Sequence, residues 1–261
     1  MVEPADWDHL ARELDLWRGT GNSPRLWWRD DDAVADSIAL QELQRIARVP
    51  VALAVIPLAP ERPMEPSLQE ALADWPMAAV LQHGISHQNL ANADDKKTEF
   101  PTHRPPGEVA AALATGQAAL RRNFGTRFVP VLTPPWNRLA EEWRALLPDV
   151  GFLGLSRFGE PPYRNLSPIK GLVEIDTHVD VIDWRGTRGF AGESACLGRL
   201  VAHLAARRSG ATQARATGLL THHLVHDRAT WRFLEKLQDW LARRVQLSLF
   251  QTAADLWSPG F

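Results

Sequence analysis

The chain has a single cysteine, Cys196, and no Cys-x-x-Cys pair, which excludes an internal disulfide and the thiolate zinc sites. It has no excess of basic residues. Lysine and arginine number 29 against 31 aspartates and glutamates, a formal net charge of -2, and no basic run stands out, so a protein built chiefly to grip nucleic acid is excluded. No apolar run approaches the ~20 residues of a membrane-spanning helix. The opening residues, Met1-Val2-Glu3-Pro4-Ala5-Asp6, carry acids where an export signal carries basic residues before an apolar stretch. These absences lead us to expect a cytoplasmic protein with neither a nucleic-acid nor a membrane partner. Tyrosine is nearly missing too, at one residue against 11 tryptophans. Tryptophan faces suit the apolar faces of sugar rings, although core packing accounts for most tryptophans in any protein.

What is present is a chain of 261 residues, 45% hydrophobic, able to fold as one α/β barrel. Short apolar runs alternate with helical patterns, the signature of repeated β-α units around a parallel sheet. Leu26-Trp27-Trp28, Val51 to Ile56, Met77 to Leu81, Phe128 to Leu132, Phe152 to Leu155, Leu172 to Ile182 and Gly218 to Leu220 read as strands, with Leu247 to Phe250 as a further candidate. Helical spacing occurs from Ile38 to Ala47 behind a cap at Asp36 or Ser37, from Glu108 to Phe124, around Cys196 to Arg207, and from Ala229 to Arg243. The proline-rich stretches Pro57 to Pro66 and Glu99 to Gly107 read as loops, because the alternation resumes after each. We expect one domain over residues 1–261, α/β, a barrel of about seven strands.

In such barrels chemistry gathers where strands end. The polar clusters here fall at those places: Asp30-Asp31-Asp32, His83 with His87, Thr133 to Arg138, Asp180 to Trp184, and His222-His223. Two imidazoles four residues apart, with a carboxylate nearby, can hold a divalent ion while leaving coordination positions open. Three adjacent carboxylates repel one another, a cost that a cation relieves. Side chains alternate along a strand, so His222 and His223 should not both face one pocket.

In order along the chain, Asp31-Asp32, His83…His87, Thr133-Pro134-Pro135-Trp136, Asp180-Val181-Ile182-Asp183-Trp184 and Leu220-Thr221-His222 resemble the motifs of the polysaccharide deacetylase family, carbohydrate esterase family four. The resemblance implies a distorted (β/α) barrel. It implies Asp31 as general base, Asp32, His83 and His87 as ligands of one divalent ion, and the Trp136 main-chain N–H as an oxyanion donor. It further implies Trp184 as a wall of the acyl pocket, and Asp183 as the partner that keeps His222 charged as general acid. The triplet leaves Asp30 and Asp31 as the alternative base-and-ligand pair. The family's motif arginine is replaced by Thr133, and Arg29 and Arg138 are the candidates to take over from it.

The activity so implied is hydrolytic removal of an acyl group, acetyl first, from an amino sugar or related saccharide or glycoconjugate. The ion is expected to be zinc, with cobalt, nickel, manganese and iron equally compatible with the ligand types. Hydrolysis of a small non-sugar amide or cyclic imide is the alternative reaction, and a degenerate saccharide-binding protein is the alternative class. Oligomeric state is not legible.

Overall fold

A computed structural model of the chain describes residues 3–58, 66–159, 167–244 and 247–258. The middle of the expected Pro57 to Pro66 loop, residues 59–65, lies outside the described residues. In chain order the elements are α1 (Trp7–Gly19), β1 (Leu26–Ala33), α2 (Ile38–Ile46), β2 (Val51–Val55), α3 (Pro66–Ala73), β3 (Ala78–His83), α4 (Pro106–Phe124) and β4 (Phe128–Thr133). They continue as α5 (Glu141–Leu146), β5 (Gly154–Leu155), β6 (Val173–Glu174), β7 (Val179–Asp180), α6 (Glu193–Arg208), β8 (Thr217–Thr221), α7 (Arg228–Arg244) and α8 (Ala253–Leu256).

The eight strands form one parallel sheet in the order β6-β5-β4-β3-β2-β1-β8-β7. Parallel pairing sends every strand's carboxyl end to the same edge, and crossover helices cover one face. Strand residues therefore divide by parity. Trp28, Val51, Leu53, Val55, Val80 and Leu219 pack under the helices. Trp27, Ala52, Leu81, Val131 and Ala216 face inward against Trp257 and α8. The same period of two that buries Trp27 inside places Arg29 and Asp31 on the inner face as well.

The sheet curls because its two edges belong to one bent stretch. Leu172 to Ile182, expected as a single strand, is broken in two. Its first half pairs with β5, and its second half with β8. Between them Thr177 N–H donates to Arg157 O, and His178 N–H donates to Gly218 O, so the chain passes from one edge to the other. The result is the distorted barrel. The expected strand at Leu247 to Phe250 is instead a 3-10 turn at Leu247–Leu249, with Phe250 bridging Leu26 alone. Helix α1 had no expectation attached, yet it is well capped: the Asp6 carboxylate accepts from the N–H groups of Asp8 and His9.

Gly218 is where the closure is tightest. A Cβ there would lie 2.5 Å from Trp27 Nε1 and 2.7 Å from Thr177 Cα. We expect Gly218→Ala to destabilise the fold by about 1–3 kcal/mol, because backbone and a buried indole must both move. Urea unfolding followed by tryptophan fluorescence measures it, and an unchanged midpoint contradicts this account of the closure.

Candidate active site

Three consecutive aspartates reach three different partners because β1 is irregular at its carboxyl end. Asp30 pairs in register with Leu53 of β2, but Ala33 pairs with Val55, so three steps on β1 oppose two on its neighbour. This is a β-bulge, and it re-aims the side chain that follows. Asp32 takes a left-handed backbone, φ 73°. Asp30 points outward, where its carboxylate accepts from Thr221 Oγ1, from the His223 main chain and from His223 Nδ1. Asp31 points into the barrel, and Asp32 is turned to the mouth.

At the mouth Asp32 meets two histidines. Its Oδ1 lies 3.0 Å from His83 Nε2 and 3.3 Å from His87 Nε2, and one ligand atom from each residue falls within 4.8 Å of the others. His83 Nδ1 is 2.9 Å from the carbonyl oxygen of Thr133, which can only accept, so Nδ1 carries the proton. In the neutral ring Nε2 is then a bare lone pair aimed at a carboxylate oxygen. Asp32 Oδ1 is buried with no hydrogen-bond donor. Electron pairs converging on one point from Asp32, His83 and His87 suit a divalent cation, and a backbone carbonyl behind one imidazole is the usual outer support of such a ligand.

The pKa directions fit this arrangement. Burial disfavours charge on Asp32, but its contact with His83 and the positive charge the surrounding imidazoles can carry outweigh it and hold the carboxyl well below the usual range. Burial also opposes charge on His83, yet Asp31 and Asp32 more than offset it, and its pKa rises. His87 is pushed down by burial and by His83.

Inside the mouth, Arg29 chelates Asp31. Its Nε lies 2.8 Å from Oδ1 and its Nη2 donates to Oδ2 at 2.9 Å, while Nη1 and Nη2 also donate to Ser156 Oγ and Asn137 Oδ1. Arg29 and Asp31 are both completely enclosed. Of the two candidates to take over from the motif arginine, Arg29 is the one in contact with Asp31. The other candidate, Arg138, donates to Lys97 O and lines a neighbouring groove. Thr133, expected in the pocket, is buried beneath it: its hydroxyl donates to Gln82 O and its main chain holds His83. It supports His83 from behind and is almost wholly buried.

His222 Nε2 is 3.9 Å from Asp31 Oδ2, and Trp184 stands edge-on to the His222 ring at 4.8 Å. His223, as alternation demands, lies on the other face with Asp30. Asp183 follows the end of the sheet. Strand β7 ends at Asp180, so by residue 183 the chain has left the sheet. The Asp183 carboxylate accepts from Gly186 N–H in a turn. Asp180, whose charge acts on His222, accepts from Trp184 Nε1 at 2.8 Å and from Ile182 N–H. Burial raises the Asp180 pKa, and His222 opposes that rise only in part. Trp136 packs on His87, ring centroids 4.6 Å apart, in a left-handed turn shared with Asn137.

Three supports escaped the sequence reading. Glu99, almost wholly buried, accepts from the N–H groups of Ile85 and Ser86 and from the Ser86 hydroxyl, and so clamps the loop between the two histidines. Gly84 in that loop has φ 60°, and a Cβ there would strike Glu99 and Pro135. Asn137 and Ser156, which hold Arg29, were likewise not singled out. Small polar residues in loops carry no spacing signal.

No protein-family model and no curated protein matches the chain in sequence. Solved structures do match in fold. A family 4 carbohydrate esterase from Streptomyces lividans, solved with acetate, aligns at TM-score 0.53 and 15% identity, covering 88% of this chain and 91% of that one. A chitin deacetylase from the fungus Colletotrichum lindemuthianum aligns at 0.51 and 16%, covering 88% and 86%. A CE4 esterase from Streptococcus mutans aligns at 0.54 and 15%, covering 92% and 89%. The fold is that of the polysaccharide deacetylases.

Glu99→Ala should loosen the loop that carries His87 and weaken zinc binding about 10- to 100-fold, as loss of outer support does elsewhere. Competition with a chromophoric chelator measures this, and unchanged affinity removes the clamp. The raised His83 pKa means that a proton competes with the ion for Nε2. Zinc affinity should fall about tenfold per unit as pH drops through that value, and should level off above it. The same titration at several pH values checks this; an affinity flat through the ordinary histidine range contradicts it.

Proposed function

We propose that this protein is a metal-dependent deacylase that removes an acyl group, acetyl foremost, from an amino sugar or related saccharide. The observation that carries the reading is the convergence of Asp32, His83 and His87 on one point at the mouth, with Asp31 and His222 beside it. The fold shared with a carbohydrate esterase and a chitin deacetylase supports it. Asp32, His83 and His87 would hold a divalent ion, zinc being the natural choice for two imidazoles and a carboxylate. When bound there, the ion supplies positive charge that polarises an acyl carbonyl and acidifies water.

The chain's own groups do the rest. Asp31 takes the proton of the attacking water, its carboxylate aligned by Arg29. A two-pronged guanidinium fixes the orientation of a carboxylate better than a single donor can. His222, facing Asp31 across the mouth, delivers a proton to the departing nitrogen, or to oxygen where the substrate is an ester. Asp180, beside Trp184 and His222, takes the positioning part that the resemblance gave to Asp183. Trp184 narrows the space that receives the acyl methyl group. The Trp136 main chain, held in its left-handed turn, offers an N–H to the developing oxyanion.

Metal content and acetate release from acetylated chitooligosaccharides, with small amides and cyclic imides run in parallel, test this reading. Asp31→Asn should keep the ion and lower turnover about a hundred- to ten-thousandfold, whereas His87→Ala should lose ion and turnover together. Retention of full activity by a metal-free His87→Ala protein overturns the ligand set, and loss of the ion from Asp31→Asn overturns the division of roles.

A further inference from the structure

The guanidinium that grips Asp31 is also tied to a groove beside the mouth. Arg29 Nη2, which donates to Asp31 Oδ2, donates to Asn137 Oδ1 at 2.7 Å as well. Arg29 Nη1 donates to Ser156 Oγ and reaches the carbonyl of Arg157. Asn137 and Arg157 both line a groove of about 920 Å³. Its walls come from segments that follow β3, β4 and β5, so it opens at the same edge of the sheet as the candidate site. Asn137 comes directly after Trp136, whose ring packs on His87, so the groove starts one residue from the ligand set.

The Asn137 carboxamide has one possible orientation. Arginine has donors and no acceptor, so the end that meets Arg29 is the oxygen. The NH2 end is therefore turned away from Arg29. No described residue accepts from Nδ2, and that atom is not enclosed, Asn137 being half-buried. A donor without a protein acceptor, fixed at the head of a groove, is free for a ligand. The groove mixes Phe158 and Leu139 with Asn92, Thr98 and Thr102. Apolar walls with a few placed polar groups are usual where a ligand must be both held and oriented. A sugar ring, with C–H faces and a rim of oxygens, has the same mixture.

We propose that Asn137 binds the sugar ring next to the one that is deacylated and, through that contact, positions the base. Nδ2 donates to an oxygen of the neighbouring ring, Oδ1 holds Arg29, and Arg29 holds Asp31. The proposal rests on the deacylase reading and extends the substrate from one ring to two. An amide that donates at one end accepts more strongly at the other, because linked hydrogen bonds polarise one another. A bound ring also keeps the side chain in one rotamer. Both effects tighten the hold on Arg29, so contact energy far from the reacting atoms appears in kcat and not in KM alone.

The test compares the methyl glycosides of N-acetylglucosamine and N,N′-diacetylchitobiose on the zinc-loaded protein and two zinc-loaded variants. Acetate release gives kcat and KM, and calorimetry gives binding. With the unaltered protein, kcat for the disaccharide should exceed that for the monosaccharide about five- to tenfold. Asn137→Asp keeps an acceptor for Arg29 and loses the donor. Asn137→Gly loses both, and glycine adopts the φ of 55° found there without strain. In each variant the kcat ratio should fall to about one. A merely structural role would lower kcat for both glycosides alike and leave the ratio standing. A ratio that survives either variant, equal kcat with the unaltered protein, or a loss confined to KM overturns the positioning role while acetate release keeps the deacylase reading. No acetate from either glycoside removes the deacylase reading. The groove contact then stands if the disaccharide binds more tightly and Asn137→Asp weakens it, and falls if not.

Discussion

One extra residue in a strand organises this site. Had β1 stayed regular, Asp30 and Asp32 would share its outer face and only Asp31 would look inward. Two carboxylates would then be pressed together against the helix layer. The bulge before Ala33 and the left-handed backbone at Asp32 instead send each acid to its own positive or hydrogen-donating partner. Asp30 has His223 and Thr221, Asp31 has Arg29, and Asp32 has the pair of imidazoles. Of the five non-glycine residues with left-handed backbone among those described, Asp32, His87, Trp136 and Asn137 all sit here. Such conformations cost of order 1–3 kcal/mol each and persist only where neighbours over-determine them. Glu99 on the histidine loop and the Arg29–Asn137 bond supply that restraint.

Burying these charges is costly, and the arrangement tells what the cost achieves. A buried ion pair seldom adds net stability over apolar packing, although breaking one is strongly destabilising. Arg29 and Asp31 lie inside the barrel where leucine or valine would pack well. They hold a carboxylate at one orientation, directly below the mouth, with the remaining guanidinium donors aimed at Ser156, Asn137 and the carbonyl of Arg157. Asp30 and His223 do similar work from the outer face: by gripping the β8 end they leave His222 to project inward above Asp31. Charges below and behind the site thus set the positions of the groups that face solvent.

Much of this was legible in the sequence because it obeys short periods. Apolar runs located most of the strands, and spacing alone brought out His83, His87 and the acidic triplet. The period of two also linked Arg29 with Asp31 and separated His222 from His223. What the sequence concealed depends on where strands stop and bend. Asp183 sat beside a tryptophan in a familiar pattern, but β7 ends three residues earlier, so Asp180 occupies the inward position. The stretch from Leu172 to Ile182 looked like one strand, since nothing in its composition announces that its halves serve opposite edges. Nor did the 11 tryptophans advertise sugar binding: Trp17, Trp27, Trp28, Trp75, Trp143 and Trp257 are buried, and only Trp136 and Trp184 stand at the mouth.

Thr133, where the resembled motif carries an arginine, shows that a contact depends on position in space and not on position in a motif. A guanidinium must reach the inner face of β1 at the level of Asp31. From the end of β4 it would cross the barrel; from Arg29 it rises along the same strand, two residues back and on the same face. Once Arg29 does this, the end of β4 is released, and a small residue can sit close behind His83. Thr133 uses that closeness, its carbonyl fixing the His83 tautomer while its hydroxyl binds the carbonyl of Gln82.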